Sequence, residues 1–131
     1  MIDLNEIYSK IKFSTILTTG RTGSDYLHAC LDNVPGLLTF SGRFSYYKFC
    51  DNWKTNKFEE TEPLKILELF IQKNYYLFTK DDIENKYINL NIENFKKNFV
   101  NIYKSEKLTK QKFLLAIYLA YNVTLDRDIY Y

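Results

Sequence analysis

The sequence has too little cysteine and histidine for the sites that those residues usually build. Its 131 residues include two cysteines, Cys30 and Cys50, and one histidine, His28. Two cysteines at this spacing form neither a disulfide framework nor a metal motif, and one histidine argues against a zinc site of the usual kind. We therefore expect no bound metal. Because Cys30 lies among apolar residues, we expect it to be a buried and unreactive thiol.

The sequence also lacks an excess of charge and a long apolar run. Its 18 basic and 16 acidic residues give a net charge of +2, which argues against a nucleic-acid partner held by bulk charge. The most apolar stretch, Phe113 to Val123, is interrupted by polar residues and is shorter than the ~20 residues of a membrane helix. Residues 1–6 carry acids where a secretory signal has basic residues. We expect no membrane span and a cytoplasmic location.

What the sequence does contain is enough apolar material for a real core. Hydrophobic residues make up 46% of the chain and aromatic residues 18%, which argues against disorder. The length fits one domain, and we expect a single α/β domain over residues 1–131.

Glycine is scarce, with four residues in all, and two of them flank one short segment. This segment, Gly20-Arg21-Thr22-Gly23-Ser24, follows a β-rich run from Lys12 to Thr19 and precedes a helical pattern. A glycine-containing loop between a strand and a helix N-terminus presents unpaired backbone N–H groups to an anion. An arginine in the loop adds a fork of donors suited to phosphate or sulfate oxygens. The order of these features predicts a binding site for a phosphorylated ligand.

The pattern around this loop predicts a βαβ unit. Asn33 to Gly36 contains the residues of a turn, and Leu37 to Phe40 is a plausible second strand. We expect a P-loop-type strand–loop–helix with a short parallel sheet over residues 1–42, and mainly helices over residues 43–131. A two-stranded parallel sheet is an unusual end point. We therefore expect an incomplete three-layer α/β domain, either the N-terminal part of a longer protein or a chain whose partner completes its sheet.

Helices are predicted from apolar periodicity and from capping residues. They are expected at residues 2–10, after Ser24 or Asp25 as a cap, at residues 43–53, after Thr61-Glu62-Pro63, after Asn91 and after Thr109. Lys80 to Asp82, with Thr79, has the pattern of a further cap. One apolar stripe is expected after Pro63, formed by Leu64, Leu67, Ile71, Tyr75 and Phe78.

Two common phosphate loops do not fit the segment. The loop of nucleoside triphosphatases needs a lysine after its last glycine, and none follows Gly23. The dinucleotide fingerprint needs three glycines, and Thr18 stands where the first of them belongs.

The segment resembles the 5′-phosphosulfate loop of the sulfotransferase family. That loop commonly reads Arg/Lys-Ser-Gly-Thr/Ser-Thr/Ser, and residues 21–24 match its first four positions with Thr22 in place of serine. The helix pattern from Tyr26 to Leu31 and the turn from Asn33 to Leu37 also resemble the family, so the similarity covers about residues 13–42. Asp25 departs from the pattern because the family usually has a second hydroxyl residue there.

The resemblance implies a donor, 3′-phosphoadenosine-5′-phosphosulfate, and transfer of its sulfuryl group to a hydroxyl or amine of a small-molecule or carbohydrate acceptor. It implies Arg21 as the catalytic residue, and Gly20, Arg21, Thr22, Gly23 and Ser24 as the donor-binding residues. Asp25 would repel the donor if it faced the loop, unless it caps the helix or orients another group. The residues for the 3′-phosphate and the general base are not identified.

The sequence is also compatible with other hypotheses than a sulfotransferase. The chain could be a non-catalytic interaction module that uses its aromatic helices to bind a partner or a second copy of itself, a catalytically incomplete fragment, or a phosphate-sugar or nucleotide transferase that uses the same loop. His28 and Arg43 lie where they could reach the loop, but surface roles are favoured for both. The aromatic residues from Phe44 to Trp53 are expected in the core rather than in an acceptor pocket, and the lysines between 96 and 112 on a solvated helix face.

Overall fold

The computed structural model describes residues 4–16, 23–55, 57–79, 88–104, 109–127 and 129. All regular elements within these ranges are helices. They are α1 (Leu4–Lys10), α2 (Ser24–Leu31), α3 (Tyr46–Thr55), a 3₁₀ turn (Phe58–Glu60), α4 (Pro63–Lys73), α5 (Tyr76–Thr79), α6 (Ile92–Tyr103) and α7 (Lys110–Thr124).

The centre of the fold is the packing of α6 against α7. Each helix begins at a predicted cap, since Asn91 accepts a hydrogen bond from the N–H of Asn94 and Thr109 accepts one from Lys112. The buried residues of α6 recur at helical spacing, whereas α7 is buried on most of its surface. In addition, α1 packs on α7 and α4 packs on α6. The helices predicted after Asn91 and Thr109 are confirmed, and so is the N-terminal helix over its described part.

Aromatic rings fill much of the core. Phe49 stacks on Phe113 with 5.8 Å between ring centroids, and Trp53 meets Phe58 edge-on at 5.4 Å. Both Phe49 and Trp53 are buried, which confirms that they belong to the core. Such edge-on and offset contacts add to the free energy that burial of the ring areas supplies.

The predicted α/β fold is wrong. The described residues contain no strand, and among them there is therefore no parallel sheet, no βαβ unit in the described part of residues 1–42 and no three-layer domain. Of the first predicted strand, residues 12–16 run without turn or bend and have no backbone hydrogen bond to another described segment, and residues 17–19 lie outside the described residues. A β-rich composition fits a pleated surface but makes a strand only where a neighbour supplies the hydrogen bonds.

The second predicted strand, Leu37 to Phe40, is an irregular segment whose backbone is bonded by side chains rather than by a neighbouring strand. The carbonyl of Thr39 accepts from Nδ2 of Asn122 at 3.0 Å and from Nη1 of Arg127 at 3.3 Å. Phe40 is buried among aromatic rings, and its ring centroid lies 4.1 Å from that of Tyr118. The segment therefore packs on α7 as an irregular chain, because buried backbone groups need partners but not a sheet.

The apolar stripe predicted after Pro63 is only partly right. Pro63 opens α4 at its first position, as expected. The buried face, however, consists of Ile66, Leu67, Phe70 and Ile71, while Leu64 and Tyr75 are exposed. A break at residues 74–75 separates α4 from α5, so the two parts do not share one helical face. The cap predicted at residues 79–82 lies mostly outside the described residues.

Candidate functional site

The described part of the candidate loop is Gly23 and Ser24, at the start of α2. Gly23 is the N-cap residue, with φ +74° and ψ 13°, in the left-handed region. Glycine suits this position because other residues are strained at that φ. The reason is conformational and not a lack of space, since nothing lies within 4 Å of where a Cβ would stand. Ser24 is the first helical residue, so the prediction that Ser24 or Asp25 caps the helix is wrong.

The geometry leaves the first amides of α2 without intrahelical partners. The first hydrogen bond of the helix runs from the N–H of Leu27 to the carbonyl of Gly23 at 3.0 Å. The N–H groups of Ser24, Asp25 and Tyr26 precede it, and the cap residue has no side chain to occupy them. This end of α2 can therefore donate to an anion. Gly20, Arg21 and Thr22 lie outside the described residues.

The acid next to this helix end is paired with a cation. Oδ1 of Asp25 lies 2.9 Å from Nε of Arg43, and both side chains are mostly exposed. The carbonyl of Arg43 accepts a hydrogen bond from the hydroxyl of Tyr76 on α5. Arg43 offsets the negative charge that the sequence placed beside the loop. Only the tertiary structure brings these residues together, because they are far apart in the chain.

Cys30 is exposed on α2, so the predicted buried thiol is wrong. The apolar pattern around it does not become a buried face, since α2 has no buried residue and 76% of Tyr26 is exposed. A hydrogen bond with Cys30 raises the pKa of Tyr26, and the charge of the thiolate acts in the same direction. His28 is half-buried, one helical turn after Ser24.

A buried polar network that the sequence did not predict lies at the other end of α2. Arg127 makes a bidentate ion pair with Asp32, with Nη1–Oδ1 2.8 Å and Nη2–Oδ2 2.9 Å. The two side chains are 12% and 4% exposed. Nη2 of Arg127 also donates to Oγ of Ser41 at 3.1 Å, and Thr39 donates its hydroxyl proton to Oδ1 of Asp32 at 2.6 Å.

Tyr121 extends this network into the core. Its hydroxyl donates to the carbonyl of Leu77 at 2.6 Å and accepts from the N–H of Ser41 at 3.4 Å. Burial raises the pKa of Tyr121, although the hydrogen bonds from Ser41 act against it. In the sequence, Arg127 is the only arginine after Arg43, and no motif surrounds it. Its partners cannot be read from sequence spacing.

Neither of two surface cavities is lined by Gly23 or Ser24. One, of about 150 Å³, is lined by Asn33, Val34, Pro35, Leu37 and Arg127. The other, of about 360 Å³, lies between the residues around α5 and the start of α6. Phe49 and Trp53 are buried in the core, as predicted, so these two rings do not line an open acceptor pocket.

The described residues contain no cluster of three or more side chains suited to hold a metal ion. Of the helices that the structure describes, none combines the length and apolar character needed to cross a membrane. The chain matches no family model, no curated protein and no solved structure in the comparisons made.

Proposed function

We propose that the chain binds 3′-phosphoadenosine-5′-phosphosulfate through Gly20 to Ser24 and serves transfer of the sulfuryl group to a hydroxyl or amine acceptor. The observation that carries the proposal is the left-handed Gly23 at the start of α2. This conformation begins the helix without a capping side chain and leaves the first N–H groups without an intrahelical partner. An anionic oxygen fits this set of donors.

The chemistry of the transfer matches the residues of the loop. Negative charge builds on the leaving phosphate as the sulfuryl group departs, and fixed donors aimed at that charge lower the barrier. In the proposal, Arg21 donates charge-assisted hydrogen bonds to the leaving phosphate and is the catalytic residue. Thr22 and Ser24 add hydroxyl donors, and the backbone N–H groups of Gly23 and Ser24 complete the donor set.

The contacts that hold α2 in place differ from the sheet that the sequence predicted. The described residues contain no sheet, and α2 has an ion pair at each end, of which only the Asp32–Arg127 pair is buried. The pairing of Asp25 with Arg43 reduces the repulsion that a carboxylate would exert on a bound phosphate. The proposed acceptor is a small molecule or a carbohydrate. The proposed location is the cytoplasm, where the free thiols of Cys30 and Cys50 would stay reduced.

Calorimetry with 3′-phosphoadenosine-5′-phosphate tests the proposal. We expect Arg21→Ala to weaken binding by about 10- to 100-fold, because a charge-assisted hydrogen bond is worth roughly 1.5–3 kcal/mol. Lys65→Ala is the control, since it removes a positive charge from the exposed surface of α4 and should leave the affinity unchanged. Equal affinity of Arg21→Ala and wild type would remove Arg21 from the site. Failure of the wild-type chain to bind would contradict the donor assignment.

A second candidate, a protein-interaction module, is favoured by the surface of the N-terminal third. Exposed large apolar side chains are concentrated there among the described residues: Tyr8, Phe13, Ile16, Tyr26, Leu27, Val34 and Leu37. Light scattering across a concentration series separates this candidate from a monomeric enzyme. A dimer that dissociates when Phe13 is replaced by Ser would favour the module, because Phe13 is exposed and its loss leaves the described core intact.

A further inference from the structure

The attachment of α2 to the rest of the protein is unusual because apolar burial contributes little to it. None of the eight residues of α2 is buried, and Leu27, the largest aliphatic side chain at its centre, is 48% exposed. Burial of apolar area is the usual force that holds a helix on a core. For α2, the described contacts that could take its place are ion pairs at its two ends.

The pair at the C-terminal end is by far the better built. Asp32 ends α2 directly, because its N–H donates to the carbonyls of His28 at 3.0 Å and Ala29 at 3.2 Å. Its carboxylate accepts hydrogen bonds from both Nη groups of Arg127, and both side chains are largely buried. A bidentate arginine–carboxylate pair fixes orientation as well as distance. The same residue thus closes the helix and carries the bond that holds it.

Arg127 is in turn fixed on the central helix. Its N–H donates to the carbonyl of Asn122 at 3.0 Å, in the turn that ends α7. Its Nη1 lies 3.2 Å from Oδ1 of Asn122, which is buried on α7. The preceding residue, Asp126, has φ 55° in the left-handed region, as has Asn33 directly after Asp32. Both sides of the ion pair therefore stand on tight turns that set their direction.

At the N-terminal end the pair is weaker. Arg43 and Asp25 are 73% and 62% exposed, and exposed pairs contribute little to stability because water and salt screen them. The N-terminal end is also where the candidate anion loop lies. The positions of Gly23 and Ser24 thus depend mainly on the anchor at the opposite end of α2.

We infer that Arg127, acting through Asp32, is a positioning residue that sets the place of α2 and thereby aims its N-terminal amides at the bound nucleotide. The part of this inference that concerns the nucleotide rests on the proposed function. The part that concerns the anchoring of α2 does not. Arg127 touches no reacting group in this arrangement.

Segment-resolved hydrogen exchange on the full chain tests the anchor without any ligand. In Arg127→Lys the charge is kept but the bidentate geometry is lost, so we expect the amides of Leu27 to Leu31 to exchange about tenfold faster or more. The amides of α6 and α7 should exchange as in wild type. Asp32→Asn should act in the same way, and the double variant should add little to the larger single effect, because both changes break one interaction.

The matched control is Arg43→Lys, which makes the same change at the exposed pair and should alter exchange in α2 by less than about threefold. Unchanged exchange of α2 in Arg127→Lys would overturn the inference. Faster exchange throughout the protein would also overturn it, since Arg127 would then stabilise the whole fold rather than place α2.

Calorimetry with 3′-phosphoadenosine-5′-phosphate tests the second part. Arg127→Lys should weaken binding, and Asp32→Asn should weaken it to a similar extent. Faster exchange of α2 with unchanged affinity would overturn the positioning role. If the wild-type chain binds no nucleotide, the proposed function fails and hydrogen exchange alone decides whether Arg127 anchors α2.

Discussion

Asn122 is buried on α7 and uses its whole amide group. Its Nδ2 donates to the carbonyl of Thr39 at 3.0 Å and to that of Tyr118 at 2.8 Å. Its Oδ1 accepts from Nη1 of Arg127 at 3.2 Å. A buried amide left without partners is costly, whereas a satisfied one adds a specific connection. Asn122 therefore joins the segment before α3 to the central helix in the way that a neighbouring strand would otherwise do.

Tyr118, one turn earlier on α7, makes the protein lose stability at alkaline pH. Burial against Phe40 raises the pKa of Tyr118 to about 12, from 10.0 in an exposed phenol. The folded protein therefore holds the phenol proton more tightly than the unfolded chain. The contribution of Tyr118 to the free energy of unfolding is fully present below pH 10. It is lost as pH rises toward 12, by about 1.4 kcal/mol per pH unit.

Urea unfolding at pH 9, 10 and 11 measures this loss. We expect the free energy of unfolding to fall more steeply above pH 10 in wild type than in Tyr118→Phe, which has no proton to lose at that position. Tyr75→Phe is the control, because Tyr75 is exposed on the surface. Equal slopes for wild type and Tyr118→Phe would contradict the account of Tyr118.

At the scale of elements, the caps decide where the central helices begin. Oδ1 of Asn91 accepts from the N–H of Asn94 at 3.0 Å, ahead of the first turn of α6. Asn91→Ala should lower the free energy of unfolding by about 1 kcal/mol, because an amide of the first turn loses its acceptor. Asn91→Asp keeps an acceptor and should restore wild-type stability in the same denaturation experiment. Equal stability of all three proteins would show that the cap contributes nothing.

The helices were predictable because their signals are local. Asn91 and Thr109 with regular apolar spacing indicate α6 and α7, and Pro63 indicates the start of α4. The strands were not predictable from composition, since a strand depends on a partner elsewhere in the chain. Leu37 to Phe40 has the residues of a strand, yet the side chains of Asn122 and Arg127 occupy the carbonyl of Thr39.

The candidate site was predictable to the same extent. The glycine at position 23 and the helix that follows it are local features, and the structure places them as a left-handed cap and α2. The pairing of Asp25 with Arg43 and that of Asp32 with Arg127 join residues that are distant in sequence. Charge pairs of this kind depend on how the chain folds back, and no spacing rule gives them.

At the scale of the molecule, the described part of the chain has two unequal regions. Helices α1, α3, α4, α5, α6 and α7 contribute to an aromatic-rich core, whereas α2 and residues 12–16 lie on the surface with apolar side chains exposed. The buried Asp32–Arg127 pair connects the surface helix with the central one. The described residues of the proposed donor loop, Gly23 and Ser24, lie at the start of this surface helix.

Nuclear magnetic resonance of the ¹⁵N-labelled chain during titration with 3′-phosphoadenosine-5′-phosphate tests the proposed site most directly. We predict saturable shifts of the amide signals of Gly23 and Ser24, because the proposal makes their N–H groups donors to the nucleotide, and much smaller shifts in Arg21→Ala. Saturable shifts confined to other residues, such as those around the cavity beside Arg127, or no shifts at all, would contradict the assignment of this loop as the nucleotide site.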